Sequence, residues 1–66
     1  MKIEGLVRVK SLSKLAFKNV ELDFEWAEKN ANYDDIKIAK EYLKRAANNL
    51  KDLAKEIEKI IQKSDG

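Results

Sequence analysis

Small or apolar side chains alternate with charged ones through the first part of this chain. Ile3, Gly5, Val7, Val9, Ser11, Ser13, Leu15 and Phe17 hold odd positions, while Lys2, Glu4, Arg8, Lys10, Lys14 and Lys18 hold even ones. The pattern resumes after Lys18-Asn19 as Val20-Glu21-Leu22-Asp23-Phe24-Glu25-Trp26. A two-residue period belongs to half-buried strands, whose successive side chains point to opposite faces. Residues 2–27 are therefore predicted to form a β-hairpin turning at Lys18-Asn19, Asn being a residue that tolerates positive φ. That register sets Leu15 opposite Leu22 and Phe17 opposite Val20 on one face, and Lys14 opposite Asp23 on the other.

From Ile36 the period changes. Ile36, Leu43, Leu50 and Ile57 recur at heptad position a, Ala39, Ala46, Leu53 and Ile60 at d, and Ala47, Ala54 and Ile61 at e. This predicts one long helix over residues 33–62, with Asn32 or Asp34 as N-cap and a stripe wide enough to lie on a sheet or in a bundle. Glu41 and Arg45 are spaced to pair across one turn. Ser64-Asp65-Gly66 is expected to fray.

Residues 11–31 also admit a helical reading, with Lys14, Lys18, Glu21, Glu25 and Glu28 on its polar face. That helix would put Asn19 and Asp23 within its apolar arc, and burying an unpaired carboxylate is costly. A strand leaves Asp23 in solvent, and Val, Phe and Trp favour strands. The reading is thus an α+β domain, ββα, spanning residues 1–66 as one unit. Its core would be Val7, Val9, Leu15, Phe17, Val20, Leu22, Phe24 and Trp26 against the helix stripe. The alternative is an all-α helical hairpin, 11–31 against 34–62, dimerising as a four-helix bundle.

A 3–17 strand is roughly twice as long as a 20–26 strand, so the first residues lack an intramolecular partner. An apolar edge at Ile3, Gly5, Val7 and Val9 invites pairing with another chain. This predicts a homodimer built by strand addition along residues 3–9.

Composition narrows the chemistry. Among 66 residues there is no Cys, His or Pro. Disulfides, thiolate chemistry and the commonest general base and zinc ligand are thereby excluded. A chain this short needs regular packing or self-association to be stable. Its 14 basic and 12 acidic residues give a net charge of +2, but they are segregated. Residues 1–20 carry five positive charges and one negative, residues 21–35 one and six, and residues 36–66 eight and five. No run is apolar enough to span a membrane, and the first residues lack a signal-peptide core, so a soluble cytoplasmic setting is expected.

No catalytic, cofactor-binding or metal-binding constellation emerges. Ser11 and Ser13 have no base to activate them. The row Glu21, Asp23, Glu25 reads as a solvated face, and it lacks the spaced ligands and glycine turn of a calcium loop. Gly5 reads as a bulge or a close approach, with Trp26 or a partner backbone opposite it. Trp26 reads as the cap of the core or a partner anchor, Tyr33 as a staple at the helix start, and Tyr42 as a residue at the rim of the stripe.

The expected function is therefore a non-enzymatic interaction or assembly module. An alternative is nucleic-acid binding through Arg8, Lys10 and Lys14 on one strand face. A second alternative is a structural or engineered scaffold without a ligand.

Overall fold

A computed structural model describes residues 3–64, which form two antiparallel helices, α1 (Leu6–Asn32) and α2 (Ile36–Ser64). Among the described residues there is no strand. The β-hairpin of the ββα expectation is thus replaced by a second helix, and Lys18-Asn19, expected as a turn, lies in the middle of α1. The observed architecture is the helical hairpin of the alternative reading, with α1 beginning at Leu6 instead of residue 11. The fraying expected at Ser64–Gly66 falls outside the described residues, apart from Ser64 in the last turn of α2.

The segment Gly5 to Asn32 holds no proline, and its strong strand formers are interleaved with Leu, Lys, Ala and Glu, all good helix formers. Gly5 starts α1 at φ 84°. Its carbonyl accepts from Val9 N–H at 3.0 Å. A Cβ here would adopt a left-handed backbone and lie 3.2 Å from Ile60 Cγ2. The close approach expected at Gly5 is therefore to α2, and neither a bulge nor Trp26 is involved. Gly5→Ala is expected to destabilise the hairpin by about 1–2 kcal/mol, the cost of a left-handed backbone for an L-residue. The shift in denaturant midpoint measures it.

The connection is three residues long. Asp35 N–H donates to Asn30 C=O at 2.8 Å and Asp34 N–H to Ala31 C=O at 3.0 Å. These are the paired bonds of a Schellman stop, with Asp34 in the left-handed region at φ 62°. Asp35 then caps α2, its carboxylate accepting from Ile38 N–H at 3.4 Å. The cap falls one residue beyond Asp34, the later of the two sequence candidates. Tyr33 is exposed, so it makes no staple at the helix start.

The seam between the helices is narrow. On α1 it follows Val9, Ser13, Ala16, Val20, Asp23, Ala27 and Asn30, and on α2 Ala39, Tyr42, Ala46, Asn49, Leu53, Glu56 and Ile60. The alternating steps of three and four are those of a two-stranded coiled coil. The buried apolar residues are Val9, Val20, Ala27, Ala39, Ala46 and Leu53. Of the eight α1-side residues expected in the core, only Val9 and Val20 are buried; Val7, Leu15, Phe17, Leu22, Phe24 and Trp26 are all exposed. The expected stripe of α2 is rotated as well. Its alanine row faces α1, while its Ile36-Leu43-Leu50-Ile57 row does not.

The Cα atoms span 52 × 16 × 8 Å, one layer of helices. Stable domains pack two layers around a core, and here no large side chain is fully buried.

Candidate functional site

Three features could carry function: a polar cluster in the seam, a groove along one flank, and an apolar surface along the other.

The polar cluster centres on Asp23, which is 6 % exposed. Its carboxylate accepts from Asn49 Nδ2 at 3.5 Å and lies 3.9 Å from Arg45 Nε. Arg45, expected to pair with Glu41, instead reaches across the seam, with its guanidinium 5.7 Å from the Tyr42 ring centre. Other polar seam residues turn to their own backbone: Ser13 Oγ donates to Lys10 C=O and Asn30 Nδ2 to Trp26 C=O, each at 2.7 Å. Among the described residues, no buried side-chain nitrogen or oxygen lacks a partner. The cluster therefore reads as a register device for the two helices.

The groove flank is formed by residues that immediately precede seam positions. Leu12, Asn19 and Trp26 of α1 face Arg45, Asp52 and Lys59 of α2 there, with Leu15 and Leu22 at the outer edge. Trp26 stacks on Tyr42 with ring centres 6.3 Å apart and planes at 21°, and Lys29 Nζ sits 4.9 Å from the indole. Trp26 is thus a half-exposed stacking partner on the groove.

Residues that immediately follow seam positions must lie on the opposite flank, because adjacent helical positions are about 100° apart and an antiparallel pair brings like flanks together. The apolar ones among them are Phe17 and Phe24 on α1 and Leu43, Leu50 and Ile57 on α2, with Ile36 continuing the row at the start of α2. Ala47, Ala54 and Ile61 widen the surface outward along α2. Phe17 is 54 % exposed, Phe24 52 %, Leu43 46 % and Leu50 41 %. This flank is apolar along α2, whereas on α1 Phe17 and Phe24 stand among Lys10, Lys14, Glu21 and Glu28.

The expected edge at Ile3, Gly5, Val7 and Val9 is not a strand. Gly5 is a helix cap, Val9 is buried in the seam, and Val7 projects into solvent. These four residues share no edge, so strand addition has no template here. Arg8, Lys10 and Lys14 are likewise separated. Lys10 and Lys14 sit one turn apart, while Arg8 points toward α2 and binds Glu56 at 3.0 Å. Hydrogen bonds from Arg8 and Lys59 hold the Glu56 carboxyl below the usual carboxylate range. The attraction is present at neutral pH and fades as pH falls through that lowered value.

Among the described residues, no group of three or more acidic, His or Cys side chains could hold a metal ion. No helix among them is long and apolar enough to cross a membrane. No protein-family model, curated protein or solved structure matches the chain. The leucine-phenylalanine flank was legible only in part. The α2 row shows in the sequence as a heptad, whereas its α1 counterparts Phe17 and Phe24 fit the two-residue period of a strand.

Proposed function

We propose that this chain is a non-enzymatic assembly module that self-associates through the flank formed by Phe17, Phe24, Leu43 and Leu50. The observation that carries this reading is the exposure of that flank on a single helical layer. The hairpin exposes 5703 Å², whereas a compact monomer of its 7.6 kDa mass exposes about 4,300 Å². The excess is larger than the roughly 800 Å² that each partner contributes to a standard interface. Self-association thus supplies the second layer that the hairpin lacks. The edge of residues 3–9 plays no part in this mechanism. A cytoplasmic setting goes with the reading, since nothing in the chemistry of the side chains needs an oxidising compartment.

Light scattering on the intact chain tests it. The expected mass is that of two chains at micromolar concentration, with a thermal midpoint that rises with concentration. One-chain mass and a concentration-independent midpoint would refute the proposal.

A further inference from the structure

We infer that, in the unpaired chain, the flank of Phe17, Phe24, Leu43 and Leu50 docks on an anionic lipid surface. This goes beyond self-association. It gives the same flank a second occupant, and the two occupants exclude each other.

Shape is the first argument. The Cα atoms span 52 × 16 × 8 Å, so both helices can rest on a flat surface at one depth. The row Ile36, Leu43, Leu50 and Ile57 stands about 90° around α2 from the middle of the seam, and so points straight out of the layer. Phe17 and Phe24 point the same way from α1. These six side chains are 41–54 % exposed. A helix with such an apolar band and a charged remainder lies in the headgroup region of a bilayer, with its axis in the membrane plane.

Charge selects the class of lipid. Lys37, Lys44 and Lys51 form the row beside the apolar band of α2, and Lys40 stands at the margin of the band. Lysine stems lie along apolar surface while their ammonium groups reach out to polar surroundings. On α1, Lys10 and Lys14 precede Phe17, and Lys18 and Glu25 on the outer edge offset each other. The remaining acids of the flank and its borders are Glu21, Glu28 and Glu58. Positive charge exceeds negative by three on this side, more than the +2 of the whole chain. Glu21 and Glu28 both belong to α1, so α2 is the deeper helix. The groove side is different. There Arg8 and Lys59 bind Glu56, Arg45 lies beside Asp23, and Lys29 sits over Trp26. Among the described residues the flank lysines enter no such ion pair. An acidic lipid surface attracts them, and a zwitterionic one does not.

Sedimentation with vesicles tests the inference. Vesicles of phosphatidylcholine mixed with phosphatidylserine are expected to carry the chain down, and added salt should release it. Vesicles of phosphatidylcholine alone should leave it in solution. Lys37→Gln with Lys44→Gln and Lys51→Gln should weaken binding about a hundredfold, about fivefold for each lysine. No sedimentation with the mixed vesicles, or equal sedimentation with both kinds, would overturn the proposal.

The chain has one tryptophan, Trp26 on the groove flank, so fluorescence reports which side meets the lipid. A brominated acyl chain should quench the indole of a Phe24→Trp, Trp26→Phe variant more strongly than Trp26 of the parent chain. Stronger or equal quenching of the parent would put the groove on the lipid and overturn the assignment of the flank.

Light scattering separates this inference from self-association. The bound fraction should fall as chain concentration rises through the range in which the mass doubles, because pairing hides the flank. A one-chain mass with lipid binding would overturn the pairing alone. A two-chain mass with binding indifferent to chain concentration would overturn the shared flank.

Discussion

Leu43→Glu combined with Leu50→Glu is expected to give a helical chain of one-copy mass at concentrations where the parent chain is a dimer. Both leucines lie on the open flank, turned away from the seam, and each is nearly half exposed in the lone hairpin. Within a single hairpin the exchange touches little and should cost no more than about 0.5 kcal/mol per site. In the assembled form the exposed part of each leucine is covered, and burying that remaining half contributes about 0.7–1.5 kcal/mol. Two leucines on each of two chains amount to about 3–6 kcal/mol, enough to raise the dissociation constant at least about a hundredfold. Light scattering reads the mass, and circular dichroism shows whether the helices persist. Leu15→Glu, on the groove flank, is the control and should leave the mass unchanged. If the double variant keeps dimer mass, this flank is not the interface.

The second large effect is expected at Asn49. Its amide is the hydrogen-bond partner of the buried Asp23 carboxylate, and the other neighbour of that carboxylate is Arg45 at 3.9 Å. Asn49→Leu should cost about 1–3 kcal/mol, because it leaves a desolvated carboxylate short of a donor. For a chain of this size that is a fall of about 5–20 °C in thermal midpoint. Asp23→Leu alone should be far milder, and joined to Asn49→Leu it should recover most of the loss, since apolar replacement of a whole buried polar set is often neutral. A double-mutant cycle should give a coupling of about 1–2 kcal/mol. Additive losses would mean that Asn49 acts through packing instead.

The same contact explains why residues 11–31 read as strand yet fold as helix. A helix through residues 11–31 buries Asp23, which a strand would leave in solvent, and Asp23 is indeed buried. What local reasoning could not supply was Asn49, 26 residues away in sequence, whose amide meets that carboxylate. The two-residue alternation has a physical origin too. Leu15 and Phe17, or Leu22, Phe24 and Trp26, lie two apart and hence about 200° apart around a helix. They fall on opposite flanks of the seam. A helix that is apolar on both sides of a narrow polar-dotted seam therefore imitates a strand. The second helix is legible because its apolar row carries no such interruption, and it starts three residues beyond the expected 33 because Asp35, in place of Asn32 or Asp34, caps it. The seam on α1 was hard to see because it is built from Ser13, Ala16, Asp23 and Ala27, residues that no hydrophobic pattern highlights.

The three-residue link between Asn32 and Ile36 has a kinetic consequence. A free helix of this length is marginal in water, and its encounter with a second would be bimolecular. The Schellman stop and the Asp35 cap make that encounter intramolecular, with little closure entropy and a closing time in the microsecond range. Four helices would then come together in a single second-order collision between two preformed hairpins. The rate of assembly should scale with the square of chain concentration, and dilution should lengthen only the final phase of refolding.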